Sequence, residues 1–322
     1  MNKTITLLIS LLLITACSTS EKAEQTKELM GTYVTITIYG EEEQTVEQAT
    51  EAAYKEIERI EKLVSNYINT SEVYILNENQ EIGNASNELI YLLTKSLKYG
   101  DISQGAFDVT VQPILDLYKD SFENLKRPPT EEEVQETLNQ VGYEYIFIKN
   151  KNMKFTKPTK ITLGGIAKGY AIDKAIEVLK QYDVEHALVN AGGDMRAIGA
   201  KGEEDWQIAL QNPRDKKDHI TIIHLNDKAV ATSGDYERYY DDEKKFHHIV
   251  DPRTGFSATE LISVTIVTDK AVDADALATS VFVLGKEDGL NLVENTKNTE
   301  ALIITNDKEI IKSSGFDALT NI

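Results

Sequence analysis

Between Ala187 and Asn306, the runs "ALVNAGG", "WQIALQNP", "ITIIHL", "ISVTIVT" and "ALIITN" read as short β-strands, and several follow one another with no helix between them. Neighbouring strands of a doubly wound parallel sheet need crossover helices, so this order favours an α+β fold of mixed sheets with packed helices. Helices are expected near Ala167 to Gln181 and Asp273 to Leu284. Upstream, "TYVTITIYG" alternates Val34, Ile36 and Ile38 with more polar neighbours, as a half-buried strand does. Val46, Ala49, Ala53, Ile57 and Ile60 mark one face of a helix over Thr45 to Val64, and another helix is expected over Glu88 to Tyr99. Thr130 and Glu133 have the spacing of a capping box after Pro128 and Pro129. One catalytic unit of two intimately joined lobes, residues 30–322, accommodates all of these.

Ahead of that unit, Lys3, an apolar run from Ile5 to Ala16, and then Cys17 have the order of an export signal. Twelve apolar residues are too few to span a bilayer. The ending "ITAC" resembles a bacterial lipobox, which implies cleavage after residue 16 and lipid attachment to Cys17. Residues 17–29, polar and charged, then read as a lipid-anchored flexible tether. Cys17 is the only cysteine, so the exported domain has neither a disulfide nor thiol chemistry. Removal of residues 1–16 leaves 33 basic against 53 acidic residues, a net charge of −20. That balance argues against nucleic acid or an anionic lipid surface as the partner.

Three glycine corners follow apolar segments. "TLGGIAKGYAIDKAIEVL" reads as strand, turn and helix, with Gly164, Gly165 and Lys168 suited either to cradle a phosphate or to make a tight structural turn. "NAGGDMRAIG" places Asn190, Gly192, Gly193 and Asp194 after a strand, and "VATSGDYER" does the same for Ser233 and Gly234. Together they could line a site for a long phosphate-bearing ligand. In "FHHIVDPRTG", His247 and His248 precede a turn with Asp251, Pro252, Arg253 and Gly255, and one of the two histidines can face inward while the other shuttles protons. Asp275 and Thr279 lie one helical turn apart in "VDADALATSVFVLG". That pair suits a hard cation such as Mg²⁺, and equally a helix-terminal acid with a threonine bonded to its own backbone.

"MGTYVTITI", "SNYINTSEVYILN", "GAFDVTVQP", "LGGIAKGYAID", "NAGGD", "ATSGDYERYY", "HHIVDPRTG" and "DADALAT" resemble, in this order, motifs of the FAD:protein FMN transferases of the ApbE family, over about Met30 to Phe282. The resemblance implies a T-fold-related α+β fold that binds FAD as substrate with Mg²⁺ at its pyrophosphate. It implies transfer of FMN to a threonine or serine of an exported flavoprotein, with release of AMP. By the same resemblance Asp275, Thr279 and the carbonyl of Ala167 are metal ligands. His248 is the base, supported by Asp251 and Arg253. Gly165 and Lys168 sit where pyrophosphate or ribose is held, Gly193, Asp194, Ser233, Gly234 and His248 are cofactor-binding, and Met30, Tyr67 and Asp108 line the flavin and adenine parts. Thr162 departs from the acidic residue common before "LGG". The alternatives are an FAD pyrophosphatase giving FMN and AMP, or a non-catalytic flavin-binding lipoprotein. Cys17→Ala is expected to move the protein from the membrane to the soluble fraction; retention in the membrane would remove the lipid anchor.

Overall fold

The computed structural model describes residues 22–241 and 245–320. The expected signal segment and Cys17 lie outside the described residues. A hairpin of β1 (Ala23–Leu29) and β2 (Thr32–Ile38) leads into α1 (Glu43–Val64). Next come α2 (Glu72–Asn79), β3 (Glu81–Ile82), α3 (Asn87–Ile102), α4 (Gln112–Glu123), α5 (Glu131–Leu138), β4 (Ile146–Lys149) and β5 (Asn152–Phe155). The second half runs α6 (Ala167–Gln181), β6 (Ala187–Ala191), β7 (Asp194–Ile198), β8 (Trp206–Asn212), β9 (Asp215–Leu225), β10 (Ala229–Gly234) and β11 (Leu261–Thr268). It closes with α7 (Ala271–Leu284), α8 (Lys286–Glu294), β12 (Glu300–Thr305) and β13 (Ile310–Lys312).

An antiparallel sheet ordered β1-β2-β6-β7-β10-β11-β12-β13 forms the centre. The helices α1, α6 and α7 pack side by side on one face, with the buried face of α1 carrying Val46, Ala49, Ala53, Ile57 and Ile60. The ribbon β8–β9 covers the other face through Trp206, Ile208, Leu210, Ile223 and Leu225. With cover on both sides, β11 is buried at all eight positions. A second lobe, α2 to α5 with the small sheet β3-β5-β4, shares the main core through Val73, Leu76, Leu89, Met153 and Phe155. Only the α4–α5 end has a cluster of its own, around Ile114, Tyr118, Val134 and Val250. Thr130 and Glu133 make both bonds of the capping box.

Two expectations are corrected. Residues 23–29 are strand β1, paired residue for residue with β2, and not a tether. As the exposed edge of the sheet, β1 has polar side chains on both sides and so lacks an apolar period. Residues 161–163 belong to no sheet. Two of their backbone N–H groups go to partners far away in sequence, Ile161 donating to Asn77 Oδ1 at 2.7 Å and Thr162 to the Val109 carbonyl at 2.7 Å.

α7 is apolar almost all round and is buried along most of its length, as a central helix should be. Its closeness to α6 depends on Gly169, where a Cβ would stand 2.2 Å from the Ala271 carbonyl oxygen. That atom belongs to a backbone and cannot move aside cheaply. Gly169→Ala is therefore expected to destabilise the protein by about 1–3 kcal/mol through overpacking, more than the ~1 kcal/mol that alanine returns in helix propensity. Urea denaturation reads the difference, and an unchanged or raised midpoint would show that Gly169 does not set the crossing.

Candidate active site

Chain direction brings the three glycine corners to one end of the central sheet. β6 ends at Ala191, β7 starts at Asp194, and the last residues of β10 reach the same level, where the Thr232 N–H donates to Asp194 Oδ1 at 3.1 Å. Gly192, at φ 61°, packs where a Cβ would meet Thr32 Oγ1 at 2.5 Å, so the Met30–Gly31 hairpin abuts the Gly192–Gly193 turn. Gly193 donates its N–H to Asn190 Oδ1 at 2.9 Å. From the helical layer, Lys168 in the first turn of α6 reaches Asp194 Oδ2 at 2.8 Å.

Asp275 lies on α7 and is buried, with Oδ2 accepting the Gly169 N–H at 2.9 Å. Thr279, one turn on, approaches Ser233 Oγ at 3.4 Å. A Cβ on Gly165 would stand 3.1 Å from Thr279 Oγ1 and 3.2 Å from Phe107, so glycine lets this corner approach α7 closely. Ala167 is the first residue of α6, directly before Lys168. Thr162 accepts the Gly164 N–H on its own hydroxyl at 3.2 Å and so closes the glycine turn.

Burial raises the Asp275 carboxyl to about 7, helped by the charge of Asp194 and opposed by Lys168. Burial also works to discharge Lys168, but Asp194 and Asp275 overcome it and hold the ammonium above its ordinary range. Capping a helix N-terminus contributes at most ~2 kcal/mol to a carboxylate, whereas burying an ion costs several kcal/mol. Two buried acids that share one lysine thus leave surplus negative charge beside two hydroxyls. This oxygen-rich set fits a hard divalent cation. Among the described residues no three His, Cys, Asp or Glu side chains gather as a metal site. An ion here would complete its shell with water or phosphate oxygens, as Mg²⁺ does.

The two histidines have different surroundings. His247 is buried, with Nε2 at 2.8 Å from the Ala258 carbonyl, Nδ1 accepting the Ile249 N–H at 3.2 Å, and its edge against Phe282. Both nitrogens are occupied. His248 is only half-buried, and its Nδ1 donates to the Arg238 carbonyl at 3.0 Å. That bond fixes the tautomer and leaves Nε2 as a proton acceptor. Burial pushes the imidazole down to about 4, with Arg238 and Lys168 among the charges that add to the effect, so it is neutral at neutral pH.

Four further expected site residues are held as follows. Asp251 and Arg253 pair with each other, Nε to Oδ1 at 2.8 Å and Nη2 to Oδ2 at 2.9 Å, and stiffen the turn after His248. Asp108 accepts from the Thr110 N–H and hydroxyl at 2.7 and 2.6 Å, and from the Tyr143 N–H at 2.8 Å. Its carboxyl, raised to about 6 by burial, is thus engaged by the fold. Tyr67 is 84 % exposed, an uncovered ring on the loop between α1 and α2. The backbone donors Gly169 and Thr232 and the Arg238 carbonyl carry no residue signature and were not foreseeable from residue types. Glu237, one of the acids that act on Lys168, stands within "ATSGDYERYY" but was not singled out there.

Residues 30–303 match the ApbE family. The chain belongs to that family. It is 32 % identical over 298 residues to an FAD:protein FMN transferase of Haemophilus influenzae, with 86 % of each chain covered. A crystal structure of the ApbE protein from Thermotoga maritima superposes with a TM-score of 0.85 at 33 % identity, covering 94 % of this chain and all of that one. The flavin transferase ApbE from Vibrio cholerae gives a TM-score of 0.80 at 28 % identity, over 93 % of this chain and 99 % of that one. The α+β architecture expected of an ApbE chain is the one found.

With Asp275 raised above its unfolded pKa, the metal-free protein loses stability as pH rises from the ordinary carboxylate range through about 7. A divalent cation at this site would bind the ionised carboxylate, so any rise in Tm on adding Mg²⁺ is expected to be larger at pH 8 than at pH 5 and absent in Asp275→Asn. A rise independent of pH, or one retained in the variant, would place the ion elsewhere.

Proposed function

We propose that the protein transfers the FMN half of FAD to a threonine or serine hydroxyl of an exported protein, in a Mg²⁺-dependent reaction that releases AMP. One observation carries the reading. Lys168, Asp194 and Asp275 gather with the Thr279 and Ser233 hydroxyls and the Gly165 corner at one end of the central sheet, and His248 is held neutral with its Nδ1 on the Arg238 carbonyl. The family relatives named FAD:protein FMN transferase supply the flavin and the group transferred.

In this reading the glycine corners let the pyrophosphate of FAD approach the backbone, and Lys168 meets its negative charge. His248 Nε2 takes the proton of the acceptor hydroxyl. The freed oxygen forms a bond to the FMN-side phosphorus, and the bond from that phosphorus to the bridging oxygen breaks, leaving its electron pair on AMP. Mg²⁺, held by Asp275 and Thr279 with the Ala167 carbonyl, would neutralise charge on the pyrophosphate. Asp251 and Arg253 keep the His248 turn rigid, while Met30, Tyr67, Gly193 and Ser233 would border the bound FAD. Export, and lipid attachment through Cys17, would place the enzyme outside the cytoplasmic membrane, alongside an acceptor of the same compartment. Tethering of both raises their effective concentration.

Incubation with FAD, Mg²⁺ and a candidate acceptor, followed by intact-mass measurement, tests the reaction. Free FMN without an acceptor adduct would favour the pyrophosphatase. His248→Ala is expected to slow transfer by roughly 10²–10⁴-fold, with FAD binding and Tm retained. His247→Ala should lower Tm through lost packing and bonds and slow transfer less. The opposite ranking would assign the base to His247.

A further inference from the structure

Asp173, part of the "LGGIAKGYAID" motif, has no task in the mechanism above, yet it is buried and fully engaged. Its Oδ1 accepts the Ala271 N–H and its Oδ2 the Val272 N–H, each at 3.0 Å, at the start of α7. Arg196 Nη1 donates to the same Oδ1 at 2.6 Å. Arg196 follows Asp194 by two residues on β7, so both side chains point to the helical face of the sheet. β7 therefore holds α6 by two ion pairs of opposite sense: acidic strand to basic helix at Asp194–Lys168, and basic strand to acidic helix at Arg196–Asp173. The first pair belongs to the proposed site. The second lies five residues further along α6 and ends on the first N–H groups of the helix that carries Asp275 and Thr279.

The geometry points to Asp173 and Arg196 as a positioning pair that sets the placement of α7 on α6, and through it the placement of Asp275 and Thr279 against Lys168 and Gly165. This rests on the metal-dependent reading of the site and deepens it. Asp275 stands one turn beyond Ala271, and Thr279 one turn beyond Asp275, on the same helix face. A shift or rotation of α7 at its first turn moves both oxygens together. Gly169 carries no side chain that could act as a spacer at this crossing, so the two backbones meet closely there. Neither residue contacts substrate in this scheme; both act through Asp275 and Thr279.

Outer partners of metal ligands typically change metal affinity by about 10–100-fold. Mg²⁺ binding to the full soluble domain, measured by calorimetry and by Tm shift without turnover, is expected to weaken by at least about tenfold in Asp173→Asn, while transfer at saturating Mg²⁺ largely recovers. Arg196→Lys, which keeps a cation, should weaken it less. Loss of one partner of a buried pair can prevent folding, so the double variant Asp173→Asn/Arg196→Gln is measured as well. Glu133→Gln, which removes an ion pair in the α4–α5 lobe, controls for general destabilisation and should leave Mg²⁺ affinity unchanged. Wild-type Mg²⁺ affinity in a folded single or double variant overturns the positioning role. A wild-type protein that does not respond to Mg²⁺ overturns the metal reading itself, and the inference with it.

Discussion

Helices α6 and α7 exchange carboxylates. Asp275 from α7 accepts the N–H of Gly169 in the first turn of α6, and Asp173 from α6 accepts the first two N–H groups of α7. Each helix thus neutralises the positive end of the other, and two N-termini that would repel can lie together in the core. Gly169 permits the approach, and Lys168 and Arg196 supply the cations without which two buried carboxylates would be too costly. The central sheet, the glycine corners and the position of Thr279 all take their places relative to this crossing.

The charge balance of that crossing is uneven by design of its sequence. At Asp173 a guanidinium and two backbone N–H groups meet one carboxylate, so both carboxylate oxygens are bonded, although burial still raises the carboxyl and the Arg196 Nε has no partner among the described residues. At Asp275 one N–H and a shared lysine face two acids, and the carboxyl is held near 7. The first is a structural joint and the second a place that still seeks positive charge. Similar residues on the same two helices separate into support and chemistry through the number of donors around each oxygen.

Much of the fold was legible because its elements carry their own periods. The span of α6, the Thr130–Glu133 capping box and the buried run of β11 follow from local pattern alone. β1 was not legible, since an edge strand with solvent on both sides has the polar composition of a linker. Nor was the irregular backbone of Ile161 to Leu163, whose partner Asn77 lies 84 residues away. In the site, the one-turn spacing of Asp275 and Thr279 was readable, as was the glycine requirement at the corners. The meeting of Lys168 with Asp194 was not, because it depends on how a helix lies over a strand. His248 and His247 are equivalent as residue types, and in the fold they differ in burial, ring contacts and the carbonyl each one faces.

β1 gives the molecule a polarity. Its last residues turn at Met30 beside the glycine corners, whereas Ala23 pairs with Ile38 at the far end of the sheet, and seven residues of strand span roughly 20 Å. The chain therefore enters the described fold at the end of the sheet opposite the glycine corners, and β1 carries it the length of the sheet to reach them.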